Sequence, residues 1–177
     1  MKREFKKIIV FFIFLFAGNA LFSQSIYELS IKDSYGREVQ LQKYQGIKLL
    51  FVVIGNDSSL RKNRELIDFA DSLSSKVKVV ALFENNLDKS IEDVLTIYYS
   101  KSKILLMQPV VLAKSNEQSP IITWLTDRTK NRHFDVIAKM GSKFVVNENG
   151  NLYSVLEPEI DLNNTLFLKA IQSQHTH

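Results

Sequence analysis

Two apolar runs, "IKLLFVVI" at 47–54 and "KVKVVALF" at 76–83, constrain the fold more than any other feature of the chain. The first is almost continuously apolar, which predicts a strand buried on both faces. Between them, "SSLRKNRELIDFADSLSS" places Leu66, Ile67, Ala70 and Leu73 on one helical face, with its Lys, Arg, Glu and Asp residues mostly opposite. Strand, helix and strand predict a βαβ unit over about 47–83, with parallel strands and a right-handed crossover.

The flanking segments complete an α/β pattern. "IYELSIKD" and "REVQLQKY" alternate around "SYG", which predicts an N-terminal β-hairpin within 26–44. After the polar loop "ENNLDK" a helix is expected at about 90–102, where Ser90 and Asp93 resemble a capping box in acidic form. "LLMQPVVLA" contains Pro109 and is at most a short or edge strand. "SPIITWLTDRT" predicts a short helix with Pro120 in its first turn. "SKFVVNENGNLYSVL" predicts a hairpin turning at Asn149-Gly150. "DLNNTLFLKAIQS" predicts a closing helix with Leu162, Leu166 and Ala170 in register, and "QHTH" a frayed tail. Phe51, Phe69, Phe83, Phe144 and Trp124 sit at core spacings. The order predicts one α/β domain with a mixed central sheet and helices on both faces, without internal repeats or a linker.

The first 23 residues read differently. "MKREFKK" is a basic leader, "IIVFFIFLFAG" is an apolar stretch too short to span a bilayer, and small or polar residues follow. This predicts a signal peptide at 1–23, cleaved after Ser23 or Ala20, with an uncleaved anchor as the alternative, and a domain at 24–177. An exported, periplasmic or secreted protein without a stable membrane span is the expectation. Lys2, Arg3, Lys6 and Lys7 against Glu4 carry +3 of the chain's +4, leaving the mature protein at +1. No basic stripe for nucleic acid remains, so no nucleic-acid partner is expected. The chain has no cysteine, which rules out disulfides, a thiol redox pair, a cysteine zinc site and a lipoprotein anchor.

Several motifs resemble the glutathione peroxidase family, a branch of the thioredoxin fold. "SIYELSIKDSYGREVQLQKYQGIKLLFVV" is similar to its opening, "SPIITWLTDRTKNRHFD" to its "H-P-L-Y-x-W-L-T" segment, and "SKFVVNENGNLYSVLEP" to its "T-K-F-L-V-D-x-x-G-x-V" hairpin. Together they cover about 25–172. The resemblance implies a thioredoxin-like, glutathione peroxidase-like three-layer fold: a mixed central sheet with helices on both faces and an N-terminal β-hairpin. It also implies where the family's catalytic residues would fall. The peroxidatic cysteine position aligns with Ser58 in "IGNDSS". The glutamine loop aligns with "ENNLDK", shortened and without glutamine, at Asn86. The tryptophan and asparagine positions fall on Lys139 and Met140 in "KMGSKF". All four depart from the family pattern. A serine hydroxyl is far less acidic than a thiol and has no reversible oxidation ladder, so thiol-type peroxide reduction is not expected.

Other assignments compete for the same residues. Ser58 with His133 as base would make a hydrolase, but no G-x-S-x-G elbow surrounds it. Asp57, Ser58 or Ser59 capping the following helix is the simpler reading. Asp57, Glu84 and Asp88 lack the spacing of a calcium loop, and His175 with His177 is a minimal tail motif, so no metal and no cofactor is expected. Lys101, Lys103, Lys114, Arg128, Lys130 and Arg132 form a basic bias that reads as a solvated face. The sequence therefore predicts a non-catalytic glutathione peroxidase-like protein with a binding or structural role in the cell envelope, its partner an unknown protein or small-molecule ligand. An antioxidant enzyme with a displaced mechanism is the alternative.

Overall fold

The computed structural model describes residues 25–55 and 60–173. Residues 1–23, where a signal peptide is expected, and Asp57, Ser58, Ser59, His175 and His177 lie outside the described residues.

Among the described residues the central sheet has five strands, in the order Leu105–Leu106 (β5), Val77–Phe83 (β4), Lys48–Ile54 (β3), Lys143–Val146 (β6) and Leu152–Leu156 (β7). Strand β3 (Lys48–Ile54) is buried along its whole length, as its apolar run demands. It pairs in parallel with β4 (Val77–Phe83) over seven residues, from Lys48 opposite Val77 to Ile54 opposite Phe83. Helix α1 (Leu60–Ser72) connects them and completes the expected βαβ unit. Leu66 and Ala70 are buried, with Phe69 beside them, while Ile67 and Leu73 are half-buried against the same core. The short strand β5 (Leu105–Leu106) lies parallel to β4 at one edge, and Pro109 follows it. The other edge is the hairpin of β6 (Lys143–Val146) and β7 (Leu152–Leu156), with β6 antiparallel to β3. Gly150 takes φ +83° in the hairpin turn, the conformation that Asn-Gly predicts there.

Alternation along the strands divides the core into two layers. Leu49, Phe51, Val53, Val80, Leu82 and Phe144 face helix α3 (Pro120–Thr126) and the N-terminal hairpin. Leu50, Val52, Ile54, Val79, Ala81 and Val145 face α1, α2 (Lys89–Tyr99) and α5 (Thr165–Gln172). The fold is thus the expected three-layer α/β sandwich, and Phe51, Phe69, Phe83, Phe144 and Trp124 are all buried in it. A four-residue turn of helix, α4 (Arg128–Asn131), follows α3.

Three local expectations change. The N-terminal hairpin is paired only over β1 (Ser30–Lys32) and β2 (Glu38–Gln40). The residues outside them, Ile26–Glu28 and Leu41–Tyr44, form 3-10 turns that still bury Ile26 and Leu41. Helix α2 begins at Lys89 after Asp88 and ends at Tyr99, so Ser90 lies inside it and caps nothing. Helix α5 starts only at Thr165, capped by the Asn164 side chain, which accepts from the Leu166 and Phe167 amides. That start turns Phe167 and Ile171 inward and leaves Leu166 75 % exposed. Phe167 then packs on Phe69 with ring centroids 5.5 Å apart.

Candidate functional site

The end of β3 runs into Gly55, the last described residue before the segment that contains Ser58. Here a side chain would meet the Met140 side chain. A Cβ on Gly55 would lie 2.4 Å from Sδ and Cε of Met140. Met140 therefore lies across the strand end, although it is itself half exposed. It lines a cavity of about 130 Å³ together with Val53, Ile54, Glu84, Asn86 and Leu112. Two of the aligned positions, Asn86 and Met140, thus meet at one site. Asn86 is exposed and donates from Nδ2 to Glu84 Oε2 at 3.1 Å. Lys139 does not line this cavity; its Nζ pairs with Glu157 Oε2 at 2.7 Å, with both side chains largely exposed. The hydrogen bond to Glu157 holds the Lys139 ammonium above the ordinary lysine range. Where the resemblance would require a hydrogen-bonding tryptophan and asparagine, the chain offers an exposed ion pair and a thioether.

The other candidates are also placed. His133 is exposed in the turn after α4, its amide donating to Asn131 Oδ1 at 2.8 Å. Asn131 is the buried organiser of that turn, with Nδ2 donating to the carbonyls of Trp124 and Phe134. Glu84 is half-buried beside Asn86, and Asp88 is exposed before α2. Among the described residues no group of three or more His, Asp or Glu side chains is arranged to hold a metal ion. The six basic residues from Lys101 to Arg132 are all exposed. No described helix is long and apolar enough to cross a membrane.

A second cavity, about 180 Å³, lies on the α1 face of the sheet and shares Met140 with the first. Sequence reasoning did not single out its central residue, Lys143. That lysine stands opposite Val52 on β6 and so faces the layer beneath α1. Only 7 % of it is exposed. Its Nζ donates to the carbonyls of Gly141 at 3.0 Å and Pro158 at 3.3 Å. Gly141 makes this close approach possible, since it takes φ +85° and a Cβ there would sit 2.6 Å from Pro158 Cβ. Burial pushes the Lys143 ammonium below the ordinary lysine range; Asp161 and Glu159 oppose this shift and Lys62 adds to it. The signal that could have found this residue is a lone lysine opening an apolar strand, in "SKFVV".

No protein-family model matches the sequence, and no curated protein matches it. Solved structures do resemble it. The glutathione peroxidase Trgpx, in its apo form, superposes with a TM-score of 0.64 at 14% identity, over 86% of this chain and 98% of its own. T. cruzi GPX1 gives a TM-score of 0.55 at 14% identity, over 83% and 93% respectively. MTB dsbF, solved in mixed oxidized and reduced forms, gives 0.55 at 11% identity, over 84% and 98%. At such identities the shared property is the fold, and that fold is thioredoxin-like, with glutathione peroxidases among the structures it resembles.

Proposed function

We propose that this chain is an exported binding protein built on a glutathione peroxidase-like scaffold, and that it does not turn over peroxide by thiol chemistry. The observation that carries the reading is chemical: the chain contains no cysteine at all, and the aligned reactive position is Ser58. Peroxide reduction on this scaffold needs a thiolate that attacks the O–O bond and is regenerated from its sulfenic acid. Serine supplies neither step. The surroundings support the same view, because Met140 covers Gly55 and the Lys139 ammonium is engaged by Glu157. The leader of "MKREFKK" and "IIVFFIFLFAG" supports export.

The mature protein, purified and supplied with hydrogen peroxide plus thioredoxin or glutathione in a coupled NADPH assay, is expected to give no rate above background. Saturable turnover would sink the reading. N-terminal sequencing of protein recovered from the envelope fraction is expected to begin near residue 21 or 24. Recovery of the intact leader would remove the cleaved-signal part of the reading.

A further inference from the structure

We propose that the cavity between β3, β6, α1 and the segment around Pro158 binds a small aliphatic monocarboxylate, with the ligand's carboxylate on Lys143 Nζ. The inference rests on the binding-protein reading and supplies its ligand class.

The argument starts from the charge of Lys143. A buried ammonium is normally paired with a counter-charge. Lys143 has two carbonyl acceptors, Gly141 O and Pro158 O, which satisfy two of its three donors without neutralising it. Among the described residues no carboxylate lies within ion-pair distance of its Nζ. The third donor and the net charge call for an anion, and a carboxylate supplies both.

The walls define the rest of the ligand. Val52, Ile54, Leu66, Met140, Pro158 and Leu162 offer an apolar lining. A cavity of about 180 Å³ is smaller than the roughly 300 Å³ at which sites for drug-sized molecules begin. A short alkyl chain fits these limits, and a nucleotide or polymer does not. Lys62, Glu65 and Asp161 also line the cavity and are exposed. The lining carries two ammonium groups, Lys62 and Lys143, and two carboxylates, Glu65 and Asp161, so it offers no excess positive charge for a dianion. A monocarboxylate is therefore favoured over a phosphate. The depressed ionisation of Lys143 agrees with this geometry, because a bound anion would relieve the burial that causes it.

Isothermal titration of the mature protein with hexanoate, hexanol and inorganic phosphate tests the proposal. Hexanoate is expected to bind with one site per chain, at least about tenfold more tightly than hexanol, with phosphate weaker than both; that margin corresponds to one charged hydrogen bond. Lys143→Met is expected to lose this preference while keeping its Tm without ligand. Asp161→Asn is expected to tighten hexanoate about two- to threefold at low salt. Equal affinity for hexanol and hexanoate, or hexanoate binding unchanged in Lys143→Met, overturns the proposal, as does no binding of hexanoate at all. Should Lys143→Met fail to fold, the hexanoate preference of the unmodified protein decides the matter alone. The peroxide assay reads a different property, so its outcome and this one are separable.

Discussion

Lys48 and Lys143 are both buried on the same face of the central sheet, yet they are handled in opposite ways. Lys48, on β3, is 2 % exposed and pairs with Glu148 Oε1 at 2.7 Å. It also donates to the Ser173 carbonyl just after α5. Its charge is neutralised, and the pair ties the β6–β7 hairpin and the C-terminal helix to β3. Among the described residues Lys143 has carbonyl partners only, and it lines a cavity. The contrast separates a structural lysine from one whose environment is completed by something outside the chain. A fold that pairs one buried cation had the means to pair the other.

Removing either lysine should break this comparison most visibly. Lys48→Met removes the Lys48 ammonium from Glu148, and breaking a buried ion pair typically costs 3–5 kcal/mol. Because Glu148 is a quarter exposed, we expect a loss of about 3 kcal/mol, read as a lower urea midpoint with unchanged slope. Replacing Glu148 by Met as well should recover most of it. Lys143→Met should behave differently, with stability unchanged or slightly raised, since an unneutralised charge gives way to an apolar chain of similar length. A large loss in Lys143→Met would show that both lysines are structural.

Gly141→Ala comes next in size. The left-handed backbone and the clash with Pro158 act together, and we expect a loss of about 1–3 kcal/mol in urea unfolding. Gly55→Ala should cost less, on the order of 1 kcal/mol or below. There the obstruction is the flexible end of Met140, which can swing away. Equal costs at the two glycines would mean that Met140 is as fixed as the Pro158 turn.

The same contrast explains what the sequence made legible. β3 and β4 were readable because a continuous apolar run has to be buried on both sides, and no other element fits that length. The short helix at Pro120 and the Asn149-Gly150 turn were readable because their chemistry is local. The inward face of α5 was not. It depends on where the helix starts, and Asn164 fixes that start three residues after Leu162. Of the two buried lysines, Lys143 stands out in the sequence only as a lone lysine opening an apolar strand, and neither position shows which groups surround the charge. Asn86 and Met140 were placed by resemblance at positions that do share one cavity, but the covering of Gly55 by Met140 is a three-dimensional fact.

The smallest predicted effect is the most specific, because it reads the Lys143 charge directly. Burial makes folded Lys143 give up its proton at a lower pH than the unfolded chain does. Between that folded value and the ordinary lysine range the unfolded state binds more protons. Stability therefore rises with pH across this window, and the penalty for the buried charge is fully present below it. Lys78 is shifted in the same direction by burial, and by Lys43 and Lys103, so the slope of the native protein contains both contributions. Urea midpoints of the native protein and Lys143→Met, compared across the alkaline range, cancel the Lys78 part. The native protein should gain a little stability on the variant as pH rises. Saturating hexanoate should flatten that gain, because a bound carboxylate keeps Lys143 protonated in the folded state. Parallel curves with and without hexanoate would mean that the anion does not reach Lys143.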